Sequence, residues 1–335
     1  MTDVKWKSYR SFSGPVIVGT HIVGVPTGQQ ALQHVERAYW LTTAVETGGK
    51  VGSIMAADGT GMTAGLDQHI AVYPRELAHK EDGNAANDQG SLWQLMRRLE
   101  TVNGDESYQE AVNCLWGMLK AMGWYISQDG HLRYLEADTV QLKGKKVSVK
   151  AGDFVFGYNI REAFTPNEGK VPSKGAEWEQ SKNWALAFHD VTAHDYGIKA
   201  QVAFGCEHLV ERTGKRTEYK TAYGQEVTAL TVGVDGWTEE LDLSMSMCQA
   251  HSVNAPAIAK KLLAQALKKC NPRKNPNDFA KLLIRLLGTS SYGRWDDDIK
   301  YGRYQRTRSE ARKSGLWPRS FFDGSNAIMP KDLPG

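Results

Sequence analysis

Between Gln29 and Glu46 the residues Leu32, Val35, Tyr39, Thr42 and Glu46 recur at steps of three and four, the spacing of one helix face. The pattern predicts a helix whose inward stripe ends on a carboxylate. Thr47-Gly48-Gly49-Lys50 follows, and glycines there let a helix end in a left-handed turn. The period then changes. Val51 to Ala57 and Met62 to Leu66 are short apolar runs on either side of Asp58-Gly59-Thr60-Gly61, the signature of two strands joined by a tight turn.

Beyond the hairpin, the patterning predicts helices over 67–79 and 91–100, joined by a polar loop. A longer helix over 107–123 has the stripe Ala111, Leu115, Met118, Leu119 and Met122. Short alternating runs from Gly130 to Tyr158 predict a small β element. The Pro, Gly and Lys-rich stretch 166–175 reads as an internal boundary. After it come a mainly helical stretch over 177–212, a stranded one over 219–234, and amphipathic helices over 256–269 and 277–287. The expected fold class is α+β, predominantly helical. Its expected divisions are a lobe over 14–125 carrying Glu46 and the hairpin 51–66, a β insertion over 126–165 and a helical lobe over 166–320.

A carboxyl at a helix end, partly screened from water by Tyr39 and Val35 and facing the negative pole of the helix dipole, suits a proton donor beside a cleft. The hairpin presents Asp58 at its turn and Thr63 on its returning strand, and Gly65 permits close backbone approach. Glycoside hydrolysis uses one carboxylic acid at the leaving oxygen and a second carboxylate across the sugar. A hydroxyl beside the second carboxylate can orient the attacking water.

The run Asp58-Gly59-Thr60-Gly61-Met62-Thr63-Ala64-Gly65, with Glu46 upstream, resembles the active-site hairpin of the lysozyme superfamily. Its DGxGxTAG core is most like that of the bacterial chitosanases, and phage lysozymes show a similar Glu, Asp, Thr order. The resemblance implies a lysozyme-like fold, with Glu46 as general acid, Asp58 as base or charge stabiliser and Thr63 as water positioner. Tyr39, Gly61 and Gly65 are the expected substrate-contacting positions. Thr47 and Thr60 stand where chitosanases usually carry other residues, so the exact family stays open between the two.

Composition narrows the substrate. The net charge is +3, and the excess lies late: Lys300, Arg303, Arg306, Arg308, Arg312, Lys313 and Arg319 face only Glu310 within 300–319. That run reads either as a solvated helix face or as a surface for an anionic polymer, with Tyr301, Tyr304 and Trp317 either stacking on sugars or facing the core. A basic surround favours peptidoglycan over the polycation chitosan, and nucleic acid is not the expected partner. The expected activity is thus a peptidoglycan-cleaving glycosidase of muramidase or endolysin type. The alternatives are a chitosanase, a lytic transglycosylase and a non-catalytic wall-binding component of a phage-like particle.

No metal and no organic cofactor is required by this chemistry. His189, His194 and His208 are poorly spaced for one metal ion, and the Gly-Thr-Ser-Ser at 288–291 reads as a helix terminus. The four cysteines form no CxxC pair, and Cys114 reads as a buried small hydrophobe. No apolar run is long enough for a membrane span. The polar start predicts synthesis in the cytoplasm without a Sec signal. Delivery to the cell wall by a virion or a holin pore, with phage-particle components as possible partners, follows from the resemblance.

Overall fold

A computed structural model describes residues 6–7, 16–17, 34–56, 61–73, 88–164, 174–214, 238–294, 302–325 and 327–329. It is a mixed α+β fold in which helices predominate and the sheets are small and antiparallel. The chain divides into two compact units, one of 1–23 and 50–204, the other of 24–49 and 205–335. This division departs from the expected one. The first helix belongs with the C-terminal helices, and the 166–175 stretch lies inside the first unit. The chain crosses between units at 23–24, at Gly49–Lys50 and at 204–205 within a helix, and none of these crossings falls in 166–175.

In the first unit, β1 (Trp6–Lys7), β2 (Val16–Ile17), β3 (Ile54–Ala56), β4 (Met62–Ala64) and β5 (His69–Ile70) form one antiparallel sheet in chain order. The expected hairpin is β3 and β4, with Ile54 opposite Ala64 and Met55 opposite Thr63. The helix expected from residue 67 is replaced by β5, where Ile70 pairs with Thr63 and His69 with Ala64. Backbone pairing to a formed strand outweighs weak local helix preference there.

Helices α2 (Leu92–Glu100), α3 (Glu106–Ala121), α4 (Gly157–Phe164) and α5 (Ala176–Thr192) complete this unit with β6 (Trp124–Ile126), β7 (Leu132–Tyr134), β8 (Asp138–Leu142) and β9 (Lys145–Val149). Trp93 of α2 centres the core. Its ring stacks on Phe164 at 5.7 Å and meets Phe188 at 6.2 Å, while its indole N–H donates to the Ala71 carbonyl at 2.8 Å. An aromatic cluster of this kind supplies apolar burial, and the hydrogen bond spares the indole nitrogen a desolvation cost. The buried Gln89 amide stitches the β-element to this core, donating to the carbonyls of Leu132 and Val155 and accepting from the Leu132 N–H.

α3 follows from its sequence. Asp105 caps it by accepting the Tyr108 N–H at 2.9 Å, and Tyr108, Val112, Leu115 and Leu119 are its buried face. Cys114 lies on the other face and is exposed, which corrects the expectation that it is buried. β8 and β9 form the expected β element, a hairpin closed by Lys143 and Gly144.

α6 (Asp195–Gly214) carries the chain into the second unit. There α1 (His34–Glu46) packs against α7 (Glu239–Asn254) and α11 (Arg303–Ser314), while α7, α8 (Pro256–Lys269) and α9 (Pro276–Thr289) pack on one another and the short α10 (Ser291–Arg294) joins α9 to α11. Prolines open α8 and α9, where a missing N–H costs nothing. Every residue of α7 from Leu241 to Ser252 is buried, so this stretch has no solvent face. The stretch expected to be stranded, 219–234, lies outside the described residues.

A specific strain test follows from Gly52. It has φ +68°, and a methyl there would sit 2.5 Å from His189 Nδ1, the atom that contacts the Gly52 carbonyl at 2.7 Å. Gly52→Ala is expected to lose about 3 kcal/mol in denaturant unfolding, from backbone strain plus overpacking. Gly144→Ala, also left-handed but with open space around it, is expected to lose only about 1 kcal/mol. Equal losses in the two variants would contradict the packing assigned to Gly52.

Candidate functional site

Glu46 is the last residue of α1, as its pattern predicts. The Thr43 carbonyl accepts the N–H groups of Thr47 and Gly49 at 2.9 and 3.2 Å, and Gly48 and Gly49 have φ of +68° and +69°. This is a glycine-terminated helix end, turning the chain towards β3. The expectation of an acid standing open beside a cleft needs correction. The Glu46 side chain is 5% exposed and is paired with the Arg303 guanidinium of α11, itself 7% exposed. A carboxylate that enters an apolar interior alone carries a large desolvation cost, and the fold meets it with a charge from far along the chain.

Arg303 also donates to the Ala250 carbonyl at 3.2 Å, so one guanidinium joins the end of α1 to α7. A second ion pair fixes the start of α1, where Arg37 reaches Asp242 of α7 at 3.1 Å. Asp242 accepts in addition from the Trp317 indole at 2.8 Å. Tyr39, expected to contact substrate, is fully buried, with its ring against Gly205 so closely that a Cβ there would lie 2.0 Å from it. It is a core residue.

Thr63, Gly61 and Gly65 share β4 or its ends in the first unit, whereas Glu46 and Tyr39 belong to the second. Thr63 is 3% exposed, in the middle of the sheet between Met55 and Ile70. Gly65 does allow close approach, but by this chain's own residues: a Cβ would meet Gln201 Oε1 at 2.8 Å, and that oxygen accepts the Leu66 N–H. Gly61 lies against Arg161. Asp58 lies outside the described residues.

The basic run is largely spent on structure. In α11, Arg308 is buried and donates to the Phe322 carbonyl, Arg312 pairs with Asp323 at 3.0 Å and Lys313 with Glu310 at 2.8 Å. Tyr304 and Trp317 are buried as well. Of the two readings of these rings, facing the core holds for Tyr304 and Trp317, and Tyr301 lies outside the described residues. His189 and His194 serve packing contacts to Gly52 and Ser107, and no group of three metal-ligating side chains occurs among the described residues.

One arrangement has no local signal in the sequence. Asp67 Oδ1 lies 2.7 Å from His69 Nε2, and His69 Nδ1 lies 2.9 Å from the Ser91 hydroxyl. The order carboxylate, imidazole, hydroxyl resembles a nucleophile relay. The ring is 3% exposed and the Phe204 ring covers it at 5.1 Å, so it ties the β5 turn to the start of α2. No protein-family model, curated protein or solved structure matches the chain.

The Arg303 site has a pH signature through its neighbour. Burial, with a smaller push from the Arg303 charge and opposition from the Met247 carbonyl, lowers the His251 imidazole from 6.5 to about 4. The unfolded chain therefore takes up the extra proton between those values. Stability tied to neutral His251 is full above pH 6.5 and is lost as pH falls towards 4. His251→Asn is expected to flatten the acid limb of a stability-versus-pH curve by about 3 kcal/mol over that window. An unchanged slope between pH 6.5 and 4 would contradict the assignment.

Proposed function

We propose that the chain is a lysozyme-type glycosidase that cleaves β-1,4 bonds of peptidoglycan, with Glu46 as acid, Asp58 as base or stabiliser and Thr63 as water positioner. The observation that carries the reading is the order of elements. A helix ends on Glu46, a left-handed glycine turn follows, and the next element is an antiparallel hairpin whose returning strand contains Thr63. Acid catalysis by Glu46 starts from its protonated form, so this reading requires substrate to displace the Arg303 contact. Arg303 then keeps a second task, holding the carboxylate in one place until substrate arrives.

The Glu46–Arg303 pair also favours a second reading, a wall-binding component without turnover. In that case the pair is a structural tie and nothing more. A chitosanase or a lytic transglycosylase shares the Glu46 chemistry and differs in substrate or in the need for a second acid.

The test measures new reducing ends from purified sacculi and from chitosan, with melting temperature recorded for each variant. Asp58→Asn is expected to lose about a hundredfold or more of wall hydrolysis at unchanged melting temperature. Glu46→Gln is expected to lose both activity and stability, since it breaks a buried pair. Undiminished wall cleavage by Asp58→Asn selects the transglycosylase, and activity on chitosan alone selects the chitosanase. Wall binding with no cleavage by the wild type would overturn the enzymatic reading.

A further inference from the structure

The first unit contains a cleft of about 880 Å³, bounded by the end of α3, by β6, the turn after β7, β8, α4 and Gln180 of α5. Its volume is within the range of small-ligand sites, about 300–1,000 Å³. Among its lining residues are none of Glu46, Thr63, Gly61 or Gly65. Three features of the lining point to one kind of ligand.

The first feature is charge. Glu136, Asp138 and Glu162 face the cleft against the single cation Lys120, and Glu136 and Asp138 are both exposed. The second is unspent hydrogen bonding. Tyr134 is 3% exposed, and its hydroxyl makes no hydrogen bond of normal geometry among the described residues. Burial above all, with a contribution from the Asp138 carboxylate, pushes this phenol up to about 12, which keeps it a donor at every physiological pH. Asn159 Oδ1, also on the lining, is buried without a hydrogen-bond partner among the described residues. A buried polar group left unsatisfied costs about 1–3 kcal/mol, which a ligand's polar atoms would recover.

The third is apolar surface at the mouth. Met122 and Leu135 line the cleft and are 41% and 42% exposed, two of the three large hydrophobic side chains that stand out among the described residues. Exposed apolar groups rimming a polar cleft mark a binding surface. Tyr158 adds a half-buried ring to the wall.

Carboxylates for an ammonium, an amide and a phenol for hydroxyls, and apolar walls for C–H faces together match an amino sugar with a free amine. We propose that this cleft binds short β-1,4 oligomers of de-N-acetylated glucosamine, as a glycan-holding site separate from the residues assigned to catalysis. The proposal deepens the glycosidase reading by naming the sugar chemistry, yet it concerns binding and stands apart from turnover. The same ammonium occurs in chitosan and in wall glycan that has lost N-acetyl groups.

The experiment is calorimetric titration of the full chain at pH 6 and low salt with the glucosamine tetramer and, separately, the N-acetylglucosamine tetramer. The glucosamine tetramer is expected to bind at least tenfold more tightly. A Glu136→Gln, Asp138→Asn double variant, changed only at exposed positions, is expected to lose that preference with an unaltered melting temperature. Tyr134→Phe is expected to weaken binding severalfold. Equal affinity for the two tetramers, no binding of either, or full affinity in the double variant overturns the proposal. Sacculi that are retained before but not after chemical N-acetylation identify the wall as the source of the amine, and retention of chitosan alone identifies chitosan. Because binding is read without cleavage, failure here leaves the Asp58→Asn result to judge the glycosidase on its own.

Discussion

A carboxylate at the end of a largely apolar helix imposes a constraint that the C-terminal unit is organised to meet. Glu46 is drawn inside because the α1 stripe that includes Tyr39 and Thr42 is buried, and a buried charge is tolerated only with a partner. Arg303 is that partner, and its further bond to the Ala250 carbonyl makes α7 a party to the arrangement. The consequences spread locally. His251 stays neutral beside this cation, Arg37 and Asp242 repeat the device at the other end of α1, and the Trp317 indole completes Asp242.

The first unit rests on different physics. Its centre is aromatic, with Trp93, Phe164 and Phe188 in mutual contact and Trp184 against both phenylalanines, and the amides of Gln89 and Gln201 satisfy backbone groups in its interior. Charge there is kept at the surface and around the cleft between α3, β8 and α4.

How far this was legible in the sequence depended on whether the deciding interaction was local. The helix ending on Glu46, the paired strands that follow it, α3, α8 and α9 are written in periodicity and turn chemistry within a few residues. β5 was misread as helix because His69 and Ile70 are fixed by pairing with β4. Cys114 was misplaced by one helix face, since the buried stripe runs through Val112 and Leu115 rather than Cys114. The fate of Glu46 was not readable at all: its partner lies 257 residues away, within a basic run that looks like a surface feature. The Asp67, His69, Ser91 relay and the cleft lining were hidden for the same reason.

The central claim is that Glu46 and Arg303 form one coupled, buried unit, and a double-mutant cycle tests it most directly. Unfolding free energies of wild type, Glu46→Gln, Arg303→Met and the double variant give the coupling. Each single change is expected to cost about 3–5 kcal/mol, and the double variant to cost clearly less than the sum of the two, because it leaves no lone charge inside. Additive losses, with no coupling between the two positions, would contradict the account.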